Sequence, residues 1–429
     1  VIGGGLAGLQ AAKTAALSGA KVLLMEQDPF WGGRAAVDGG ELDGAPAAEY
    51  VARLVAELEA MENVTLRTRM MGAGVYDHGY LLGYERLRDH APELAGPRHR
   101  LWKIRASQII TASGAIERPL SFAGNDIPGV MLAGALRDYI ADYGASAGDR
   151  VVVVTNNDDA YKTAMAVKAA GLDVPVILDA RAGGGGAAAD AARAAGIRVE
   201  NGKAIAKVTG GKRVKSVKIC AQAGEGGVLE EIACDAVAMS GGWSPVVHLW
   251  SHCGGKLVWD EEHAMFRPDE TRPPLGATGE GFVIPAGAAN GVMDMGVGLA
   301  DADHAGRKAV EALGLTAKAV KLPEFEQAAE APLEPVWMMP QGAGPKLRMK
   351  AWLDYQNDVK VSDVQLAAQE GYESVEHTKR YTTLGMATDQ GKLSNINGLA
   401  VLSETLGQAI PETGTTTFRP PYTPISIGS

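Results

Sequence analysis

The chain has 429 residues and a formal net charge of -10 at pH 7. This acidic balance argues against a nucleic acid or an anionic membrane surface as a partner, because both attract clustered positive charge. No apolar run approaches the roughly 18 residues that a membrane-spanning helix needs, and no signal peptide precedes the first motif. We therefore expect a cytoplasmic protein with two or three domains and no membrane partner.

A glycine-rich turn between a strand and a helix is the first motif. Gly3, Gly5 and Gly8 have the G-x-G-x-x-G spacing, which allows a tight turn, a close approach to a pyrophosphate and close packing of the helix on the sheet. The phosphates are expected at the helix N-terminus, where N–H groups and the helix dipole favour an anion. A second strand, residues 21–25, ends at Glu26, whose carboxylate can accept both hydroxyls of an adenosine ribose. The motif predicts a dinucleotide site, with an empty, degenerate Rossmann unit as the alternative.

The residue types around this motif favour NAD as the cofactor, with FAD as the alternative at the same site. Glu26 argues for a free 2′-hydroxyl and against NADP. FAD enzymes of this architecture usually carry Gly-Asp where the ribityl chain is held, whereas Gly287 is followed here by Ala288. Arg34 could close over the pyrophosphate or could be a solvated loop charge. The expected cofactor-binding residues are Gly3, Gly5, Leu6, Ala7, Gly8, Glu26, Gln27, Gly33, Arg34, Thr111, Ala112, Gly114 and Gly287.

A second Rossmann-like unit begins near residue 149, but its glycines are missing. The strand at 150–154 and the helix after it have the expected pattern, and Asp179 stands at the ribose-binding position. Asn156 and Asp158 occupy the positions where glycines would admit a pyrophosphate, and Asp158 with Asp159 would repel one. We expect this unit to hold no nucleotide, although Asp179 keeps that alternative open.

These patterns predict an α/β fold with two dinucleotide-binding, Rossmann-like domains of the FAD/NAD(P) disulfide-reductase type and a small C-terminal helical module. In reductases that resemble this chain, a strand-to-loop corner such as residues 111–119 passes beside the dinucleotide; an ordinary glycine turn is the alternative. The predicted divisions are a split first domain at 1–135 and 235–314, a degenerate second domain at 136–234, a linker at 315–345, and a helical module with an extended tail at 346–429.

The sequence indicates no catalytic residue and no metal site. Cys220, Cys234 and Cys253 lack a C-x-x-C spacing, so buried, inert thiols are expected rather than a redox dithiol. A candidate metal set consists of His248, His252, Cys253 and His263, since the first two lie four residues apart on one helix face. No fourth convergent ligand has a suitable spacing, so a packed helix is favoured over a zinc site. No nucleophile arrangement and no paired carboxylates can be identified.

Several motifs resemble those of the α subunits of heterotetrameric sarcosine oxidases, and the resemblance covers nearly the whole chain. Those α subunits are about twice this length, with a C-terminal aminomethyltransferase-like part that binds folate. Because that part is absent, and because the chain begins without methionine and with two residues of a strand, we expect a fragment. The motifs, besides the glycine turn, lie at residues 111–119, 354–359, 374–383, 385–392 and 415–424.

The resemblance implies an oxidoreductase complex. A β subunit would oxidise the N-methyl amine at FAD, electrons would pass to an FMN at the α/β boundary, and oxygen would be reduced to peroxide. Sarcosine would give glycine, with formaldehyde or methylene-tetrahydrofolate as the other product. By this resemblance the α chain binds NAD without turning it over, and smaller subunits complete the heterotetramer.

A related branch of that family carries an iron–sulfur centre in the helical module, ligated by cysteines. At the matching positions this chain has Leu353, Tyr355, Asp389 and Ser394. None of these side chains supplies a thiolate, so we expect no cluster.

A cationic, hydroxyl-rich set near the end of the chain could hold the FMN phosphate. The alternative is that these charges are solvated or pair with Glu376, Asp389 and Glu412. The residues of this set are Lys379, Arg380, Lys392, Thr415, Thr416 and Arg419.

Three other hypotheses are kept. The first, a self-sufficient FAD- and NAD(P)H-dependent reductase, is disfavoured by the missing second glycines, the missing Gly-Asp and the lack of a C-x-x-C pair. The second is a related N-methyl amino acid or opine dehydrogenase subunit. The third is a structural scaffold in which both Rossmann units are vestigial.

Overall fold

The computed structural model describes residues 1–277, 279–325 and 329–420. Within them the chain forms two Rossmann-like domains and a small C-terminal helical module, which is the α/β architecture expected from the sequence. Residues 421–429, part of the predicted extended tail, lie outside the described residues.

The first part of the chain contains the glycine turn, the helix after it and a three-stranded antiparallel sheet formed by Met70–Tyr76, Tyr80–Arg86 and His99–Arg105. Val51, Leu54 and Leu58 of the third helix are buried in the same core as the first helix, as their helical spacing predicts. The elements in chain order are α1 (Leu6–Leu17), β1 (Val22–Met25), α2 (Ala35–Asp38), β2 (Glu41–Leu42), β3 (Ala45–Pro46), α3 (Ala47–Glu59), β4 (Val64–Arg67), β5 (Met70–Tyr76), β6 (Tyr80–Arg86), β7 (His99–Arg105), β8 (Ile109–Thr111) and β9 (Ala115–Glu117).

The second domain is built on a five-stranded parallel sheet. The elements of this part are β10 (Val130–Leu132), α4 (Ala133–Tyr143), β11 (Val151–Thr155), α5 (Asp159–Ala169), β12 (Ile177–Asp179), α6 (Gly186–Ala194), β13 (Val199–Asn201), β14 (Lys203–Gly210), β15 (Val214–Ala221), β16 (Glu230–Ala233) and β17 (Ala236–Ser240). The strand order is β10-β17-β11-β12-β13, and β14, β15 and β16 form a separate antiparallel sheet. All residues of β11 are buried, as expected for a parallel strand whose sequence is apolar except for its last residue.

Two strands that the sequence assigns to the first domain pair instead within the second sheet. β10 precedes residue 136, and β17 follows residue 234. β17 lies in the middle of the sheet, where it pairs with β11 on one side and with β10 on the other. A short buried strand carries no local sign of which sheet it joins, so the predicted boundaries at 135 and 235 are corrected: both strands belong to the second domain.

After β17 the chain returns to the first domain. The elements of this return are β18 (Trp243–Pro245), α7 (His248–His252), β19 (Leu257–Asp260), β20 (Met265–Pro268), β21 (Val283–Pro285), a 3-10 helix (Gly287–Asn290) and α8 (Met295–Ala312). Ile2 pairs with Met25 of β1 on one side and with Thr111 of β8 on the other. Since β1 also pairs with β4, and β8 with β21, one parallel sheet is centred on Ile2. α8 packs along α1, where Thr14 Oγ1 donates to Asp303 Oδ1 at 2.7 Å.

The C-terminal module docks on the segment that joins the two domains. Its elements are α9 (Pro345–Arg348), β22 (Trp352–Asp354), β23 (Val359–Lys360), α10 (Val361–Gln369), α11 (Val375–Thr382), α12 (Asn395–Leu406) and α13 (Ile410–Thr413). Asn125 donates to the Trp352 carbonyl at 2.9 Å and accepts from the Trp352 N–H at 2.8 Å. Asn397 donates to the Pro119 carbonyl at 2.8 Å. These contacts fix the module close to the corner that passes the glycine turn.

Candidate dinucleotide site

A cavity of about 520 Å³ opens beside the glycine turn, and all three structural units contribute to its wall. A volume of this size is typical of sites for small molecules and cofactors. Of the predicted cofactor-binding residues, Gly8 and Thr111 are the two that do not line it. Those that line it are Gly3, Gly5, Leu6, Ala7, Glu26, Gln27, Gly33, Arg34, Ala112, Gly114 and Gly287.

The three glycines of the motif have different physical roles. Gly3 has a φ of +103°, and a Cβ there would overlap the carbonyl oxygen of Ala112. A Cβ on Gly8 would overlap the carbonyl oxygen of Gly3, so Gly8 serves the packing of α1 and lies away from the cavity. Among the residues that the structure describes, none apart from chain neighbours lies within 4 Å of the position of a Cβ on Gly5. The turn therefore leaves open space at the position where this motif places a pyrophosphate.

The N-terminus of α1 faces this space. Gly5 is its N-cap and has no side chain that could satisfy the first N–H groups, and Leu6 and Ala7 line the cavity. The first turn contains no acidic residue that would compete with an anionic ligand. The helix end thus has the properties of an anion-binding site.

Glu26 is held in place by the backbone around it. Its two carboxylate oxygens accept from the N–H groups of Gly4, at 2.6 Å, and Asp28, at 2.7 Å. Burial raises the pKa of Glu26, and these two hydrogen bonds oppose the rise. A carboxylate has about four acceptor positions, so each oxygen keeps capacity for a ribose hydroxyl.

Arg34 lines the cavity but is not a solvated loop charge. Its guanidinium pairs with Asp38 at 2.8 Å and with Asp138 at 2.9 Å, and it lies over the ring of Trp243 at 5.1 Å. Asp38 also pairs with Arg137 of α4, at 2.7 Å. Arg34 is therefore part of an ionic network that joins the two Rossmann domains at the mouth of the cavity.

The corresponding position in the second domain is filled by protein. Arg181 exposes 2% of its side chain and pairs with Asp158 at 2.6 Å and with Asp179 at 2.8 Å. Tyr161 donates its hydroxyl to Asp179 at 2.7 Å. Asp179 is fully buried and its oxygens are used within the protein, so it does not face a ligand.

The linker crosses this same position. The Ala331 N–H donates to Asp158 at 2.7 Å, and Arg181 donates to the carbonyl of Pro332 at 3.2 Å. Asn156 donates its side-chain amide to the Glu334 carbonyl at 2.7 Å. The polar residues that replace the glycines therefore bind the chain's own linker.

Two of the residues suggested for an FMN phosphate line different cavities. Lys392 lines the dinucleotide cavity, whereas Arg380 lines a separate surface depression with Tyr372, His377 and Tyr381. Thr416 is buried and accepts from the Asn395 amide at 2.8 Å. Lys379 and Thr415 are half-buried, and Arg419 is exposed.

His252 and Cys253, at the end of α7, are packing residues. The His252 ring contacts Tyr76 edge-on at 5.0 Å, and the Cys253 thiol donates to the Leu249 carbonyl at 2.9 Å. Within residues 1–277, 279–325 and 329–420, no group of three or more His, Cys, Asp or Glu side chains is placed to hold a metal ion. In the same part of the chain, no helix combines the length and the apolar character needed to cross a membrane.

Several residues that line the cavity are not assigned to the dinucleotide site by any sequence pattern. Asp159 and Lys162 reach it from the second domain, Trp243 and His248 from the returning segment, and Lys392 from the C-terminal module. No spacing rule connects residues so far apart in the chain. Only the hydroxyl-rich surroundings of Lys392 marked it as a possible phosphate-binding residue.

Comparisons with known proteins agree with this architecture. Residues 1–265 match the family described as "Pyridine nucleotide-disulphide oxidoreductase", and residues 348–429 match the "Sarcosine oxidase A3 domain". The alpha subunit of sarcosine oxidase from Rhizobium meliloti (strain 1021) is 40% identical over 433 residues, which cover 100% of this chain and 42% of that protein. The chain thus spans less than half of that relative's length.

Two further relatives match the chain from end to end. An opine oxidase subunit of Rhizobium meliloti (strain 1021) is 25% identical over 465 residues, covering 100% of this chain and 97% of that protein. The crystal structure of L-proline dehydrogenase from P. horikoshii superposes with a TM-score of 0.75 at 21% identity, covering 100% of this chain and 78% of that one. At this identity the structural likeness supports the fold alone.

Proposed function

The chain belongs to the pyridine nucleotide-disulphide oxidoreductase family, and from this premise we propose that it is the NAD-holding α subunit of a sarcosine oxidase-like complex. The resemblance to sarcosine oxidase α subunits is confirmed by the match over the whole chain, and the fold class is confirmed by the family match. Membership of this family implies that a flavin or nicotinamide dinucleotide is bound. NAD, the partner subunits and the reaction are the parts that we propose.

The observation that carries the proposal is the contrast between the two Rossmann units. Open space lies at Gly5, next to a helix N-terminus and an oriented Glu26. Asp158 and Arg181 fill the equivalent space of the second unit. One dinucleotide per chain, in the first domain, agrees with both observations.

The choice of NAD over FAD depends on the part of the wall formed by residues 287 and 288, next to the first turn of α1. Gly287 has a φ of +61° and a Cβ there would overlap that of Ala7, so the 3-10 helix approaches α1 closely. Ala288, which follows it and lines the cavity, has no carboxylate to hold a ribityl chain. NAD would supply a nicotinamide that accepts hydride, but under this proposal the chain holds the cofactor without turnover. FAD at the same site is the alternative.

The complex is proposed from the sequence relatives. A β subunit would carry FAD and oxidise sarcosine, an FMN would lie at the α/β boundary, and smaller subunits would complete a cytoplasmic heterotetramer. Glycine, hydrogen peroxide and either formaldehyde or methylene-tetrahydrofolate would be the products. This chain would support the FMN boundary and contribute no catalytic residue.

A related opine-oxidising complex is the second candidate. The observation in its favour is length, since the opine oxidase relative matches this chain over 97% of its own sequence. The higher identity of the sarcosine oxidase relative, 40% against 25%, favours the first candidate.

Mass identification of the released nucleotide tests the proposal. The chain is purified with and without a co-expressed β subunit, denatured, and the supernatant is analysed. We expect one NAD per chain in both preparations and flavin only with the β subunit. FAD released from the isolated chain would favour the self-sufficient reductase, and release of no nucleotide, with no thermal stabilisation by added NAD, would favour the scaffold.

A further inference from the structure

One part of the dinucleotide cavity wall belongs to neither Rossmann domain. Lys392, in the turn before α12, lines the cavity from the C-terminal module. We propose that Lys392 donates to the ADP half of the bound dinucleotide, so that the C-terminal module completes the site. The inference rests on the proposed function, because it requires a dinucleotide in this cavity.

A series of neighbouring residues links Lys392 to the end of the cavity where Glu26 lies. The Met70 N–H donates to the Glu26 carbonyl at 2.7 Å, and Met70 shares a core cluster with Leu249. Met70, His248 and Leu249 all line the cavity together with Lys392. His248 lies near enough to Lys392 for that charge to add to the effect of burial in lowering the pKa of His248 to about 3. Since Glu26 occupies the ribose-binding position, this end corresponds to the ADP half of the ligand.

The backbone that carries Lys392 is fixed from both sides. Gly385 and Gly391 have φ values of +66° and +73°, and a Cβ on either would overlap the amide oxygen of Asn395. The same Asn395 amide donates to Thr416 at 2.8 Å, which ties the turn to the C-terminal segment. Lys392 is thus presented to the cavity by a turn of defined geometry, which is what a binding residue needs.

Lys392 supplies a positive charge at an end of the cavity that is also lined by the carboxylates of Glu26 and Asp28. Burial lowers the pKa of the Lys392 amine, and Asp389 in the same turn opposes that effect. A partly buried ammonium is stabilised when a negatively charged group comes within hydrogen-bonding distance. The ADP half of NAD and of FAD carries the same pyrophosphate, so the inference does not depend on which of the two is bound.

Titration calorimetry on the nucleotide-free full chain tests this inference. The probes are NAD, FAD, ADP and nicotinamide mononucleotide, each at low and high NaCl. Lys392→Met removes the charge at similar length, and we expect it to weaken NAD and ADP binding roughly ten- to hundredfold, with little change for the mononucleotide. Lys392→Arg should restore most of the affinity.

Matched controls separate a direct contact from a structural effect. Lys346→Ala changes an exposed lysine of the same module and should leave all affinities unchanged. If Lys392 contacts the ligand, ADP binding by the wild type must weaken with salt more steeply than binding by Lys392→Gln or Lys392→Met. If Lys392 had only a structural role, its replacement would lower the affinity for ADP without changing the salt dependence of ADP binding.

The outcomes distinguish this inference from the proposed function. Wild-type affinity of Lys392→Met for NAD, FAD and ADP would overturn the role of Lys392 and leave the dinucleotide site in place. A loss confined to NAD, with ADP unaffected, would also overturn it, because the contact would then lie on the other half. A wild-type chain that binds none of the four probes would overturn both.

Discussion

Arg181 and Asp158 form a buried ion pair in the second domain, with 2.6 Å between Nη2 and Oδ1. The corresponding position in the first domain is the open space above Gly5. The pair does not act alone, because Asp158 also accepts from the Ala331 N–H and Arg181 donates to the carbonyl of Pro332. The second Rossmann unit has therefore become a docking position for the chain's own linker.

The first prediction concerns Arg181. Arg181→Met would leave the carboxylates of Asp158 and Asp179 buried without their cationic partner, so we expect a loss of about 3–5 kcal/mol in the free energy of unfolding. Urea denaturation of the full chain measures it. The variant should not acquire nucleotide binding in the second domain, since the two carboxylates still repel phosphate.

Arg193→Met is the matched control for that prediction. Arg193 pairs with Asp190 at 2.9 Å on the surface, with both side chains largely exposed. An exposed pair of this kind contributes about 0–1 kcal/mol. Equal destabilisation by the two variants would show that the Arg181 cluster does not hold the linker.

The second prediction concerns Gly5. Its φ of -70° and ψ of 179° suit a residue with a side chain, and the space around its Cβ position is open. Gly5→Val should therefore fold with wild-type stability while losing dinucleotide binding by a hundredfold or more, because the branched side chain occupies the pyrophosphate position. Calorimetry with NAD, together with thermal unfolding, measures both effects.

Gly183→Val serves as the control for Gly5→Val. Gly183 lies in an exposed loop, also with nothing within 4 Å of its Cβ position, and is outside the cavity. The Gly183→Val variant should therefore have the NAD affinity and the thermal stability of the wild type. Retention of stoichiometric NAD by Gly5→Val would contradict the assignment of the pyrophosphate position to the space beside Gly5.

The third prediction concerns the pH dependence of stability. Glu117 is buried behind the cavity, where its carboxylate accepts from the Gly134 N–H at 2.7 Å. Burial first, and the nearby charge of Asp159 second, raise the pKa of Glu117 from the usual 4.5 to about 8. The folded state therefore binds this proton more tightly than the unfolded state, so stability is greatest below pH 4.5 for this group and falls as the pH rises through 8.

Glu117→Gln removes that titration. The amide oxygen can still accept from Gly134, so the variant should show a smaller loss of unfolding free energy between pH 6 and pH 9 than the wild type does. Glu311→Gln, on the exposed face of α8, is the control and should follow the wild type. Identical pH profiles for wild type and Glu117→Gln would mean that Glu117 is already ionised at neutral pH.

The sequence predicts the glycine turn of the first domain as a phosphate-binding position because the residues that form it are close together in the chain. Gly3, Gly5, Gly8 and Glu26 lie within one strand-turn-helix-strand unit. Steric overlap limits the residue type at Gly3 and Gly8, and the space needed by a pyrophosphate limits it at Gly5. The loss of the second cradle could also be predicted, since Asn156 and the aspartates after it replace the glycines directly.

The rest of the site depends on contacts between distant segments. Arg181 and the linker around Pro332 meet across 151 positions of the chain, and Lys392 reaches the cavity from a separate module. The sheet membership of β10 and β17 has the same origin, because a short apolar strand joins whichever sheet the tertiary fold brings next to it. Local patterns do not contain this information.

The central claim is that the chain binds one nucleotide, at the glycine turn of the first domain. An experimental structure of the chain bound to NAD is its most direct test. We expect a single dinucleotide, with its pyrophosphate over Gly5 and its ribose on Glu26, and the linker in place across Asp158. Nucleotide density over Asn156 and Asp158, with none beside Gly5, would contradict that claim.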